Sequence, residues 1–263
     1  MSLGDAIARL YVSEAITFGW VLSRVAGFVV TAPFPGADVP QTARLSFTLS
    51  LAWVVTSFAA KDAVPASLDL GTVMTAAVEL GCGAAMGFVL RILIGAADMT
   101  GEMIAHAIGL STGAVLNPEA GSADPTISRA FSLVAMLIAL GLGAHRVALA
   151  HVLESFRSLP VGSVLAVPAT FPALASLVGE TLGTSLRLAL PIVAVSLLTQ
   201  LALALIARAA PAMQIFNVGL SVTLAGGLVT LVSAAGDLGA GFAESLGHLP
   251  DRLGEVLLLM ARR

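Results

Sequence analysis

The chain has 263 residues, of which 57% are hydrophobic and only 11% are charged, and its formal net charge is −3. Soluble domains carry about 25% charged residues, so this chain has too little polar surface to cover a water-soluble globule. The mean hydropathy of +0.97 indicates a membrane protein, and the thinly spread charge argues against a nucleic-acid partner.

Apolar stretches long enough to form membrane helices follow one another along the whole chain. A helix needs about 20 apolar residues to cross the hydrocarbon core. The segments lie at Ala15–Phe34, Leu45–Ala60, Thr72–Ala97, Gly101–Leu116, Ala130–His151, Leu174–Ala207 and Gln214–Ala234. They predict an all-α, multi-span helical membrane protein with helical hairpins and five to seven hydrophobic segments, in a single domain over residues 1–263.

Some of these segments are poor candidates for a straight span. Leu45–Ala60 is short, and Gly101–Leu116 carries Glu102 and His106. Pro191 lies near the middle of the longest segment, where a proline removes a backbone hydrogen bond and clashes with the preceding turn, so we expect a kink or a break there. Five to seven helical segments are therefore expected.

The connections are short and rich in helix breakers. Asn117–Pro125 places two prolines and a glycine between two apolar stretches. One interpretation is an ordinary external loop. The other is a re-entrant loop that lines or obstructs a conduit, because irregular backbone at membrane depth survives only where protein or water shelters it. After Gly247 a short amphipathic tail, Asp251–Arg263, ends in two arginines, and the positive-inside rule favours a cytoplasmic position for that end.

The residue patterns offer little support for catalysis or metal binding. Gly109–Gly113 matches the G-x-S-x-G pattern of hydrolases, but it ends an apolar helical segment instead of a strand. Glycines four apart there, and at Gly83 and Gly87, are typical of close helix packing. A single cysteine, Cys82, excludes a cysteine zinc site, and no two histidines lie three or four residues apart. We therefore predict no catalytic, cofactor or metal residues and no enzymatic activity.

Charged residues inside the apolar segments are costly in lipid unless they are paired. They are Arg24, Glu79, Arg91, Glu180 and Arg187. We interpret them as charges that serve structural pairing or pore hydration, with partners on other helices or other subunits. A proton relay is the alternative, and only Glu79 and Glu180 suit it.

Short motifs follow one another in a recognisable order along nearly the whole chain. They are Arg24–Phe28, Thr31–Pro33, Val39–Pro40 with Arg44, Gly101–Ile104, Gly109–Ser111, Asn117–Pro118, Gly121–Ser122, Gly143–His145, Glu154–Arg157, Leu159–Gly162, Ala189–Pro191, Arg208–Pro211 and Ile215–Gly219. Their order and spacing resemble the FliR family of flagellar export-gate proteins, whose injectisome counterpart is the SctT family. Thr112 stands where the family usually has an aromatic residue, Asn117 stands where it usually has an aspartate, and Ser221–Thr223 replaces a usual Pro-x-Lys.

The resemblance implies a multi-pass subunit of the bacterial inner membrane and flagellar basal body. It also implies that some apparent spans, such as Leu45–Ala60 and Gly101–Leu116, are hairpins packed in a complex and do not cross lipid. Its implied partners are FliP-type and FliQ-type gate subunits, an FlhB-type switch protein, membrane lipid and, transiently, unfolded export substrates. In the family the loop after the central helix plugs the closed pore. The positions that correspond to it here are Ser111, Thr112, Gly113, Leu116, Asn117, Pro118, Gly121 and Asp124.

Two other functions are alternatives to a flagellar gate subunit. One is the equivalent subunit of a virulence injectisome. The other is a small-molecule secondary transporter built around a helix broken at Pro191, which would predict inverted repeats that the sequence does not display.

Overall fold

The computed structural model describes residues 3–34, 39–57, 69–109, 126–163, 167–209 and 215–261. Within these ranges the chain forms eight α-helices and one 3-10 helix, and no strand. The α-helices are α1 (Leu3–Thr31), α2 (Gln41–Thr56), α3 (Leu70–Ala107), α4 (Thr126–Gly141), α5 (Ala144–Ser158), α6 (Phe171–Ala209), α7 (Ile215–Gly247) and α8 (Leu249–Ala261), and the 3-10 helix Val167–Thr170 precedes α6. The all-α prediction is confirmed.

Four stretches of the described chain are long and apolar enough to cross a membrane. They are Tyr11–Thr31, Leu70–Ala107, Phe171–Ala209 and Ser221–Ala261, and α4 with α5 adds a fifth if that pair is one broken span. The multi-span membrane class predicted from composition is therefore confirmed.

The predicted boundary between the third and fourth segments is wrong. A single helix of 38 residues, α3, covers Thr72–Ala97 and continues through Gly101 to Ala107. The polar residues between the two predicted segments do not end the helix. Among them, the Thr100 hydroxyl has a partner inside the helix, since it donates to the carbonyl oxygen of Ala96 at 2.7 Å. Such a bond to the residue four positions earlier is compatible with a continuous helix.

The predicted helix Ala130–His151 is also wrong as one element, because it divides into α4 and α5. The division falls at Gly143, whose φ of +73° is left-handed. Only glycine adopts this conformation readily, and it cannot continue a right-handed helix.

The expected break at Pro191 does not occur, because α6 runs through it as one helix of 39 residues. Leu190, next to the proline, is 53% exposed, but Ala189 and Ile192 are fully buried, so one side of the helix is packed at this point. Packing on neighbouring residues thus compensates for the one hydrogen bond that proline removes.

The chain separates into two compact units, and the first consists of Met1–Leu93, Gly143–Val178 and His248–Arg263. In this unit α1 pairs with α2, and α8 packs on α5 and on the 3-10 helix. The predicted amphipathic tail forms α8, whose buried face consists of Leu249, Leu253, Val256, Leu257 and Met260. The single-domain expectation for residues 1–263 stays a prediction.

The second unit consists of Ile94–Leu142 and Gly179–Gly247. Here the Ser185 hydroxyl donates to the carbonyl oxygen of Ala96 at 3.0 Å and ties α6 to the end of α3. On α4 and α7, the rings of Phe131 and Phe242 meet edge to face at 6.1 Å. These contacts combine packing with a hydrogen bond between helices, as is usual in membrane bundles.

Candidate functional site

A buried ion pair joins α1 to α3 in the first unit. The Arg24 guanidinium donates through Nε to Glu79 Oε2 at 2.5 Å, and both side chains are 0% exposed. A buried charge that lacks its partner is strongly unfavourable, whereas a well-formed pair with additional hydrogen bonds offsets the cost of desolvation. The two helices are therefore tied together at this point.

The same arginine binds the C-terminal end of α5. Arg24 Nη1 donates to the carbonyl oxygens of Ser155 and Leu159, at 3.0 Å each. The carbonyls at the C-terminal end of a helix carry partial negative charge, which favours a guanidinium there. The Ser155 oxygen also accepts the backbone N–H of Leu159, at 2.9 Å. Arg24 Cζ also lies 4.5 Å from the centre of the Phe156 ring, in a cation–π contact. One side chain thus connects α1, α3 and α5.

Glu79 uses its second oxygen to hold the backbone that follows α5. Glu79 Oε1 accepts the backbone N–H of Gly162 at 3.1 Å. Gly162 has a φ of +88°, and a Cβ there would press on the Trp20 ring. The Trp20 indole nitrogen donates to the Thr72 carbonyl oxygen at 3.0 Å. The chain after α5 is therefore fixed against both α1 and α3.

Glycines let the backbones of α1 and α3 approach closely enough for this network. A Cβ on Gly83 would overlap the Arg24 carbonyl oxygen, and one on Gly27 would overlap the Leu80 carbonyl oxygen. Gly87 lies similarly close to Thr31. The prediction that Gly83 and Gly87 allow close helix packing is confirmed, as expected where small residues line a helix interface.

The other predicted charges occupy different positions. Arg91, Glu180 and Arg187 are exposed on the surface of this chain. Only Arg24 and Glu79 are brought together here, and the role of all five charges in subunit packing stays a prediction.

The positions predicted to form the pore plug lie outside the described residues. They are Ser111, Thr112, Gly113, Leu116, Asn117, Pro118, Gly121 and Asp124.

Sequence reasoning missed the backbone groups that bind the ion pair. The carbonyl oxygens of Ser155 and Leu159 accept from Arg24, and the Gly162 N–H donates to Glu79, and residue identity does not reveal which backbone groups take part. The only signal was their place in the Glu154–Gly162 stretch that carried the resemblance.

The chemistry of this network suits a structural role, which is to hold α1, α3 and the end of α5 together. Arg24 and Glu79 direct their charges at each other and at backbone groups of α5 and the following loop. Within the described part of the chain, no group of three or more His, Cys, Asp or Glu side chains is placed to hold a metal ion.

Long apolar helices held together by a buried charge pair define a multi-span helical membrane protein. The chain belongs to the family described as bacterial export proteins, family 1, whose model matches residues 15–249. The resemblance to the FliR family is thereby confirmed.

Curated relatives agree with this family. The chain is 28% identical to flagellar biosynthetic protein FliR of Escherichia coli (strain K12) over 228 residues, which cover 86% of this chain and 87% of that protein. It is 31% identical to FliR of Aquifex aeolicus (strain VF5) over 211 residues, 80% of this chain and 81% of the relative. It is 27% identical to FliR of Bacillus subtilis (strain 168), with 81% of this chain and 83% of the relative covered.

Proposed function

We propose that the chain is a non-enzymatic subunit of the flagellar type III protein export gate, in the bacterial inner membrane at the flagellar basal body. There it helps to form the pore through which unfolded flagellar proteins leave the cell. The observation that carries this proposal is the family match over residues 15–249. The matched relatives are flagellar biosynthetic proteins by name, which favours a flagellar gate over an injectisome.

The buried ion pair supports a structural role over proton coupling. A relay carboxylate needs water or another titratable group with which to exchange a proton. Glu79 is 0% exposed, and it contacts a guanidinium, which stays protonated in proteins, and a backbone N–H. Losing its charge would leave Arg24 buried without a counter-ion.

The lengths of the apolar helices support an assembly with other subunits. With 39 residues, α6 is about 58 Å long at 1.5 Å per residue. The hydrocarbon core is about 30 Å thick, and even a tilt of about 40° reduces the helix to a height of about 45 Å. Of the most apolar 18 residues of α6, only 17% are buried within the chain. Lipid alone cannot cover such a helix, so we assign part of its surface to FliP-type and FliQ-type subunits and to an FlhB-type protein.

The exposed charges on these helices fit the same assembly. Arg91, Glu180 and Arg187 are exposed on helices that are otherwise apolar. Because lipid disfavours a charge at depth, we propose that these side chains face partner subunits or the hydrated pore.

The loop that contains Asn117–Pro125 is proposed to plug the closed pore. Deleting residues 117–125 is expected to make the resting gate leak ions, measured as membrane conductance in cells or in reconstituted complexes. Unchanged conductance in an assembled, correctly targeted complex would refute the plug assignment.

Secretion by a deletion strain tests the proposed function itself. Cells that lack the gene are expected to export no flagellar proteins and to be non-motile, and the intact chain is expected to restore both. Normal flagellar secretion in the deletion strain would overturn the proposal. A loss confined to virulence-protein secretion would support the injectisome alternative, and a loss of solute uptake would support a transporter.

A further inference from the structure

The outer surface of the α1–α2 hairpin changes chemistry along its length. On α2, Leu45, Leu49 and Trp53 follow one another at intervals of four residues and are all exposed. Residues four apart lie on one face of a helix, so they form a single outward stripe. The stripe extends for about 12 Å at 1.5 Å per residue, and it begins with aliphatic side chains and ends with an indole.

The exposed aromatic residues with polar groups gather at one end of this hairpin. The chain has one tyrosine and two tryptophans. Tyr11 is 74% exposed and Trp53 is 73% exposed, whereas Trp20 is 4% exposed. The Phe18 ring meets the Trp53 ring edge to face at 6.2 Å. Tyr11 precedes Phe18 by seven residues and so lies about 10 Å further along α1, away from the turn of the hairpin.

This aromatic end, formed by Tyr11, Phe18 and Trp53, also carries one carboxylate. Glu14 is exposed on α1 between Tyr11 and Phe18. Along the hairpin axis the outer surface therefore passes from leucine through an indole to a carboxylate and a phenol. Tryptophan and tyrosine are enriched where a bilayer changes from hydrocarbon to headgroup, since their rings are apolar and their N–H and O–H groups need polar partners.

The dimensions of the stripe agree with such a boundary. Half of a hydrocarbon core of about 30 Å is about 15 Å. The stripe from Leu45 to Trp53 therefore fits within the hydrocarbon of one leaflet if Trp53 lies where the hydrocarbon meets the headgroups. Glu14 then lies at headgroup level, where water is available to a carboxylate.

We propose that the Trp53 end of the α1–α2 hairpin lies at the boundary between lipid headgroups and acyl chains, with Trp53 in contact with lipid, the leucines of α2 directed into the acyl region and Tyr11 on the aqueous side of that boundary. This inference rests on the membrane class of the protein and not on its role in export. It assigns lipid as the occupant of this surface, in place of a partner subunit or bulk water.

Depth-dependent quenching of Trp53 tests the proposal directly. The full chain and its W53F variant are reconstituted into phosphatidylcholine vesicles that carry a nitroxide either near the headgroup or near the end of the acyl chain. Trp20 is present in both proteins, so their difference spectrum reports Trp53 alone. W53F keeps an aromatic ring against Phe18 and serves as the matched background, with circular dichroism to verify that its helix content is unchanged.

The difference signal is expected to be quenched several-fold more by the headgroup nitroxide than by the deep one, and only partly by aqueous iodide. Stronger quenching by the deep nitroxide would contradict interfacial placement. Strong iodide quenching without lipid quenching would place Trp53 in bulk water. If both lipid nitroxides quench in vesicles of the chain alone but neither does in the purified native gate, a partner subunit covers this surface and the lipid assignment is wrong.

Discussion

Neutralising Glu79 removes the counter-ion of a buried arginine. Glu79→Gln keeps the size of the side chain and its ability to accept the Gly162 N–H, which lies 3.1 Å from Oε1. It removes the charge that faces Arg24 Nε at 2.5 Å in surroundings where both side chains are 0% exposed. Removal of one partner of such a pair costs about 3–5 kcal/mol. We expect a loss of this size in the free energy of unfolding.

The assay is denaturant unfolding in mild detergent in a W53F background, where the fluorescence of Trp20 is followed alone. Trp20 is a suitable reporter because its ring contacts Gly162 and its indole nitrogen binds the Thr72 carbonyl oxygen. Glu154→Gln is the matched control. Its partner Arg157 lies 3.8 Å away, and their side chains are 58% and 79% exposed, so the control should cost at most about 1 kcal/mol. Equal losses in E79Q and E154Q would refute the view that the buried pair holds the first unit together.

Three further substitutions probe close packing, backbone conformation and assembly. G83A should lower the free energy of unfolding by at least about 1–3 kcal/mol, because its Cβ would meet backbone atoms of α1. Its control, G95A, has open space around the new methyl group and should be neutral or more stable by up to about 1 kcal/mol. Equal effects of the two variants in the same unfolding assay would contradict the close approach of the helices. G162A should lower the free energy of unfolding by at least about 1–2 kcal/mol, since the φ of Gly162 is +88°. G254A, in an open part of α8, is its control. Wild-type stability of G162A would argue against the strained turn. R187Q should change unfolding by no more than about 0.5 kcal/mol, because the side chain is exposed, yet lower the recovery of partner subunits on purification; unchanged recovery would count against a partner-facing arginine.

The membrane class of the fold could be predicted from composition. A chain with 11% charged residues has too little polar surface to face water on all sides. The helix boundaries could not be read so well. Hydropathy dips at Asp98 and Gly101 although α3 continues through both. It stays high across Gly143 although the backbone there turns left-handed and ends the helix. Polarity and backbone conformation are separate properties, and a hydropathy pattern reports only the first.

The candidate site was predictable in its parts but not in its arrangement. Arg24 and Glu79 stand out as charges in apolar helices, but their separation of 55 residues does not reveal that they meet. The carbonyls of Ser155 and Leu159 also bind Arg24, and backbone acceptors have no sequence signature. Gly83 was the more informative residue, because a glycine four positions from another predicts a close helix contact.

The central claim is that this chain works as a fixed part of a membrane export assembly, and purification from its native membrane tests it most directly. Extracted in mild detergent with a tag on the chain, it is expected to migrate in one large complex of constant composition with FliP-type and FliQ-type subunits, identified by mass spectrometry. A monodisperse monomer or dimer that carries no other membrane protein and binds a small solute would contradict the account.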